Sequence, residues 1–309
     1  MLKKKIGLLI TSFGLSLIVL LVTGECILAN VGLGDPVIYY SDSAFGYSLE
    51  PNQKVERLRG STVTINESGL RSLQSWENID QDKVLFLGDS VTYGGSYITD
   101  DDIFTSLICK EITDYVCGNA GVNGYGVLNM VMRSRFDTKL DDADIVVFTV
   151  VPGDFRRGLT TINHLPYFVG SPSGLFVNLF PAISETVNFA SYRFHIGKSI
   201  SKSNNHEAWN PPDHSRQSAE FALEMLDVEI KRLQSQGKEV FVFLSPQKND
   251  PNFKDELAKI IDDTLMLNYG KYYMRGDFLN RDEYFYDSVH YETLGHAEVA
   301  NKMIEMLSR

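Results

Sequence analysis

Val84-Leu85-Phe86-Leu87-Gly88-Asp89-Ser90-Val91-Thr92-Tyr93-Gly94-Gly95 decides how this chain is read. Four apolar residues in a row, rich in β-formers, predict a buried strand over Val84–Leu87. Gly-Asp-Ser follows where the strand must turn. In an open α/β fold the carboxyl ends of the strands carry the site, so a serine there is placed for chemistry. Gly88 is expected to let the backbone turn tightly, and Asp89 is a residue that turns tolerate. An ordinary polar turn has the same residues, so the far end of the chain has to decide between the two.

Asp287-Ser288-Val289-His290 stands there, ahead of a helical pattern from Leu294 to Leu307. A serine hydroxyl is a weak nucleophile until a base takes its proton. Histidine suits that task, and a carboxylate fixes its tautomer and steadies its cation. Asp287, three residues before His290 on one loop, can supply the carboxylate. Ser90, His290 and Asp287 are therefore the candidate nucleophile, base and orienting carboxylate.

From about Lys83 to the C-terminus the sequence resembles the SGNH or GDSL hydrolases. The resemblance rests on Gly88-Asp89-Ser90, on Asn119-Ala120-Gly121-Val122-Asn123-Gly124 and on Asp287-Ser288-Val289-His290, in that order. It implies a flavodoxin-like three-layer α/β/α sandwich with a mostly parallel central sheet, and ester hydrolysis by a Ser-His-Asp triad. It also implies that the backbone N–H groups of Ser90 and Gly124 hold the oxyanion. The family's third donor is an Asn after the third strand. Here the matching stretch is Val150-Val151-Pro152-Gly153-Asp154-Phe155, so Gly153 occupies that position and the side-chain donor is missing. Three explanations stay open: two backbone donors suffice for an activated ester, another side chain such as Asn123 enters the space, or the domain is a weak or non-hydrolytic descendant. Asp89, Asn123, Asp154 and Arg156 flank these positions and are the candidate substrate-binding residues. Arg156 and Arg157 could hold an anionic group or be solvated surface arginines.

The remaining sequence sets the boundaries. Strands are expected at Tyr115–Cys117, Ile145–Val151 and Val240–Leu244. Helices are expected at Phe104–Ile112, Gly126–Phe136, Ala219–Gln236, Lys254–Leu267 and after Thr293. That alternation predicts helices on both faces of a mostly parallel sheet. Residues 31–82 read as an extended or β preamble packing on the catalytic domain, 83–309, with a half-buried strand over Ser61–Asn66. Residues 156–216 have no clear period and hold Pro166, Pro172, Pro181, Pro211 and Pro212 with Tyr167, Phe168, Phe176, Phe180, Phe189, Tyr192 and Phe194. A stretch this long is expected to be a lid or substrate-facing insertion, the alternative being a packing insertion with short helices.

Lys3-Lys4-Lys5 precedes an uncharged apolar run from Ile6 to Val22, and no charge recurs until Glu25. Residues 1–30 are read as a membrane anchor that places the rest of the chain on the exported side, with a signal cleaved after Gly24, or a buried helix, as alternatives. With 29 Lys and Arg against 40 Asp and Glu, the formal charge is −11, which argues against a nucleic-acid partner. The expected partners are an ester of a small molecule or glycan, and the membrane. Three cysteines are too few for a disulfide framework. Cys109 and Cys117 are expected to be buried thiols, with pairing across a helix-to-strand turn as the alternative. No Cys/His cluster has metal-ligand spacing, and no metal or cofactor is expected. His296 is read as a helix-packing residue. His164, His195, His206 and His214 have no partner spacing that suggests a metal. The expected function is an exported serine esterase acting on an acetyl or short acyl ester of a carbohydrate or lipid. The alternatives are an O-acyltransferase on exported polysaccharide and a silent glycan-binding module.

Overall fold

The structure, a computed structural model, describes residues 2–77, 80–193 and 216–308. It opens with α1 (Leu2–Asn30), followed by β1 (Ile38–Asp42), β2 (Gly46–Leu49), β3 (Gln53–Glu56) and β4 (Thr62–Ile65). Strand and helix then alternate: β5 (Asp82–Gly88), α2 (Ser90–Tyr93), α3 (Phe104–Glu111), β6 (Tyr115–Gly121), α4 (Val127–Phe136) and β7 (Ile145–Val150). The aperiodic segment contributes β8 (Phe168–Val169), α5 (Leu175–Leu179) and α6 (Pro181–Arg193). The chain ends with α7 (Arg216–Ser235), β9 (Glu239–Leu244), α8 (Glu256–Tyr269), β10 (Tyr273–Arg275) and α9 (Thr293–Leu307). His195, His206, His214, Phe194, Pro211 and Pro212 lie outside the described residues.

The central sheet runs β6-β5-β7-β9-β10, and every pairing in it is parallel. In chain order this is 2-1-3-4-5, the flavodoxin-like doubly wound arrangement, whose switch point lies between the first and third strands. Strand side chains alternate between the faces. Leu85, Leu87 and Phe148 face one layer with Met130 of α4, Leu226 of α7 and Ile261 of α8. Val84, Phe86 and Val147 face the other with Ile108 of α3 and Val299 and Met303 of α9. Burying each such side chain stabilises the fold by about 1.5–3 kcal/mol. Both faces are covered, which is why β5 and β7 read as near-continuous apolar runs, Val84–Leu87 in the one and Ile145–Val150 with only Thr149 polar in the other.

The preamble joins this core. β1 and β2 pair antiparallel, as do β3 and β4. Tyr39, Tyr47, Val63 and Ile65 are buried in the same cluster as Leu85 and Leu87. The two-residue β8 pairs in parallel with β1, so the preamble and the aperiodic segment share one small sheet.

Two expectations need correction, and one strand was not expected at all. The strand expected at Tyr115–Cys117 runs on to Gly121, because β5 pairs with it along its whole length to Gly88↔Gly121. Asn119, a poor strand former, is accommodated because its Nδ2 donates to Thr92 O and Thr105 Oγ1. β10 carries no sequence signal, since three half-buried residues are too few for a period. Cys109 and Cys117 are joined in a disulfide with Cα atoms 5.8 Å apart, so they are not free thiols. The end of α3 and the start of β6 run side by side there, within bridging distance.

Candidate active site

Ser90 is the first residue of α2, directly past the end of β5. Asp89 caps that helix, its Oδ1 accepting the Val91 N–H at 2.8 Å. Gly88 does not have the positive φ that a tight turn would have needed. A side chain is excluded there for another reason: a Cβ would lie 1.9 Å from Thr92 Oγ1 and 2.8 Å from Thr149 O. The missing side chain lets α2 fold back over the sheet and aim Ser90 outward.

The loop before α9 supplies the partners. It is clamped by the Tyr286 N–H to His290 O and the Lys248 N–H to Ser288 O, both at 2.8 Å. Within it, the N–H groups of Val289 and His290 both donate to Asp287 Oδ1 at 2.9 Å. Asp287 Oδ2 lies 2.7 Å from His290 Nδ1, and His290 Nε2 lies 2.8 Å from Ser90 Oγ. Partial burial alone would raise the Asp287 pKa. The two backbone N–H groups and the His290 ring outweigh it and hold the carboxyl below its ordinary value. An ionised Asp287 accepts only, so Nδ1 carries the proton and Nε2 is the free acceptor facing the serine hydroxyl.

The turn after β6 brings Gly124 into play. Its φ of +83° suits glycine, and a Cβ would lie 3.0 Å from Tyr47 Oη and 3.3 Å from Leu165 Cδ1. Among the described residues, the backbone N–H groups of Ser90 and Gly124 donate to no protein acceptor. Asn123 does not enter the space beside Gly153. Its Nδ2 donates to Tyr39 Oη at 2.9 Å and its carbonyl accepts the Tyr47 hydroxyl at 2.7 Å, so the preamble holds it.

Gly153 sits in a 3-10 turn after β7, on the rim of a cleft of about 440 Å³ shared with Arg156, Gln247 and Asp255. A Cβ on Gly153 would meet nothing nearer than Val151 Cγ2 at 4.0 Å. Arg156 pairs with Asp255 at 3.3 Å across that cleft. Asp89 and Asp154, two of the candidate substrate-binding residues, are both buried. They face Arg157. Its Nη1 lies 2.9 Å from Asp154 Oδ1, 3.4 Å from Asp89 Oδ2 and 2.6 Å from Tyr125 O. One guanidinium thus ties together the turns after β5, β6 and β7. Burial and the Asp89 carboxylate push Asp154 well above the ordinary carboxylate range, against the pull of Arg157 and the Val151 N–H. Sequence reading weighed Arg157 only as a surface or anion-holding residue, since spacing does not show which of two adjacent arginines turns inward.

His296 is fully buried on α9, with its Nδ1 accepting the Phe104 N–H at 3.2 Å. Burial and the Arg71 charge lower its pKa to about 3, so the ring stays neutral and packs. His164 lies in a 3-10 turn of the aperiodic segment. Nearby, Thr160 Oγ1 donates to Gly124 O at 3.2 Å and the Tyr167 ring stacks on Tyr39 at 4.8 Å, so the start of that segment lies along the Gly124 turn. Among the described residues no group of three or more His, Cys, Asp or Glu is arranged to hold a metal ion.

No family model matches the sequence, and neither does any curated protein. Among solved structures, the chain is similar to a lipolytic protein of the G-D-S-L family from Veillonella parvula DSM 2008, at 14% identity and a TM-score of 0.46 over 74% of this chain and 98% of that one. It is similar to the acetyl xylan esterase AlAXEase at 18% identity and a TM-score of 0.43, covering 72% and 98% of the two chains. An acetylxylan esterase from Geobacillus stearothermophilus matches at 12% identity and a TM-score of 0.44, covering 74% and 95%.

Proposed function

We propose that this protein is an exported, membrane-anchored serine esterase that removes a short acyl group from a carbohydrate or lipid ester. The observation that carries this is the unbroken chain Asp287 Oδ2, His290 Nδ1, His290 Nε2, Ser90 Oγ, with both links under 3 Å. Nothing in packing requires a serine, a histidine and a carboxylate to meet at the carboxyl edge of a sheet from positions this far apart in sequence.

The geometry supports an acyl-enzyme route. Ser90 Oγ attacks the ester carbonyl carbon while its proton passes to His290 Nε2. Asp287 holds the Nδ1–H and stabilises the imidazolium. The negative oxygen of the tetrahedral intermediate is met by the unengaged N–H groups of Ser90 and Gly124. Collapse breaks the ester C–O bond, and the leaving alcohol takes the proton from His290. Water then repeats the attack, giving up its proton to His290, and releases the carboxylic acid and free Ser90.

Export is supported by two features. The uncharged run between Lys5 and Glu25 lies in one continuous helix long and apolar enough to cross a membrane. The Cys109–Cys117 pairing belongs to an oxidising compartment. The helix continues unbroken past Gly24, and the Glu25 carboxylate accepts the N–H groups of Ala182 and Ile183 at 2.9 and 3.0 Å. The end of α1 is thus built into the folded body, which favours a retained anchor over a cleaved signal. The test is turnover of p-nitrophenyl acetate by the wild type, Ser90→Ala and His290→Ala. Turnover lost in both variants, with unchanged circular dichroism, supports the reading. Turnover that survives Ser90→Ala rules it out.

A further inference from the structure

Between Arg157 and Arg193 the only Asp, Glu, Lys or Arg is Glu185. Glu185 is buried, paired with Arg57, and its Oε2 accepts the Gly34 N–H at 2.7 Å. The solvent face of this stretch therefore has no charge, in a chain of which 22% is charged. It does carry apolar side chains: Leu175 is 80% exposed and Leu179 58%, with Phe176 and Val187 exposed beside them. A water-facing surface of a soluble domain mixes charges among its apolar residues.

This face is continuous with α1. The N-terminus of α6 is held by the Glu25 carboxylate, and Ile183 Cδ1 lies 3.8 Å from where a Cβ on Gly24 would stand. The linker after α1 is fixed too, since Gly34 packs on Ala182 and Arg57 Nη1 donates to Asp35 O at 2.8 Å. The body is clamped to the end of the helix and does not hang from a tether. At 1.5 Å per residue, the uncharged stretch from Lys5 to Glu25 is about 30 Å long, the thickness of a bilayer's hydrocarbon core. Glu25 then marks the outer boundary of the membrane. Pro181 and Ala182 stand at that level, and α5 ends two residues before Pro181.

Resting on the reading of α1 as an anchor, we propose that α5 and α6 form a second membrane contact, with Leu175, Phe176, Leu179 and Val187 seated in the headgroup layer of the bilayer that α1 crosses. An uncharged apolar face lying in the interface plane gains by burying its side chains among lipid, as interfacial helices do. The catalytic body would then ride on the membrane surface, with the Gly124 turn held near it through residues 160–167. Esters presented at that surface, on lipids or on glycans leaving the membrane, are the substrates this placement favours.

The test uses the full chain in phosphatidylcholine–phosphatidylglycerol vesicles, with the free thiol removed by Cys26→Ser. An environment-sensitive fluorophore is attached at Leu179→Cys or, as a control, at Leu267→Cys on α8, a position 85% exposed. The expected result is a blue-shifted Leu179 probe that loses most of its emission to lipids spin-labelled just below the headgroup, with the Leu267 probe unaffected. Two results overturn the proposal while α1 resists carbonate extraction: a Leu179 probe as water-like as the control, or a blue shift without lipid quenching, which would mean the face is covered by protein. Extraction by carbonate would remove the anchor reading and this proposal together. Ester turnover, read in the same vesicles, tests the esterase reading separately.

Discussion

Replacing Arg157 by Met should damage both stability and turnover, in a way that depends on pH. Arg157 is the only cation within hydrogen-bond reach of the Asp89 and Asp154 carboxylates among the described residues, and those two are at most 2% exposed while its own side chain is 39% exposed. Removing one partner of a fully buried pair costs about 3–5 kcal/mol. Because water reaches the guanidinium, a discounted loss of about 2 kcal/mol is the working figure. For a domain of this size that lowers the unfolding midpoint by about 4–8 °C. The Asp154 pKa is raised in the folded state, so its contribution to stability is fully present below the unfolded carboxylate pKa and is lost as pH rises through the folded value. Loss of Arg157 raises it further. The stability deficit of the variant should therefore grow with rising pH and shrink in acid, and Asp154→Asn in the Arg157→Met background should recover most of it. Turnover should fall through kcat more than KM, because the same guanidinium holds the turns that carry Ser90 and Gly124. A displacement of about 1 Å there costs on the order of 10²-fold. Thermal unfolding across a pH series, paired with p-nitrophenyl acetate kinetics on protein whose reactive serine has been titrated, reads both effects. A variant with wild-type kcat, or a deficit that grows toward acid, would refute this account of Arg157.

Two further outcomes are expected. Gly153→Asn should raise kcat, by up to about 10²–10³-fold if the missing donor limits the rate, because the position has room for a side chain; an unchanged or lower kcat in a stable variant rules out a limiting donor at that site. Asp287→Asn should lower kcat by about 10⁴-fold while leaving KM and the fold nearly unchanged, since it removes the acceptor that sets the His290 tautomer. The Asp287 pKa is depressed in the folded protein, so its stabilisation is present above the unfolded carboxylate pKa and lost as pH falls through the folded value. The stability gap between wild type and Asp287→Asn should accordingly narrow in acid, as followed by thermal unfolding.

Much of this was legible in the sequence because the signals were periodic or local. The apolar run Val84–Leu87 and the valine-rich, nearly continuous run Ile145–Val150 announce strands covered on both faces, and the positions of Ser90 and of Asp287 with His290 follow from strand-end and loop logic. The features that stayed hidden depend on contacts between distant segments. β10 exists because β9 offers it an open edge, not because Tyr273–Arg275 has a pattern. Asp89 and Asp154 look like polar turn residues until burial and Arg157 turn them into a shared electrostatic tie. The alternative reading of the cysteines prevailed because the Cα separation across the α3–β6 turn is a fact of packing. α6 is hidden for a related reason: it packs on α1 and α5, segments whose meeting no local pattern announces.

The central claim is that Ser90 is an activated nucleophile. The direct measurement is intact-protein mass after exposure of the folded full chain to a fluorophosphonate, with the adduct mapped by peptide sequencing, in wild type and Ser90→Ala. The account predicts one adduct per chain, on Ser90, absent from Ser90→Ala and slowed strongly in His290→Ala. A folded wild type that takes up no adduct, or takes it up on another residue, would contradict it.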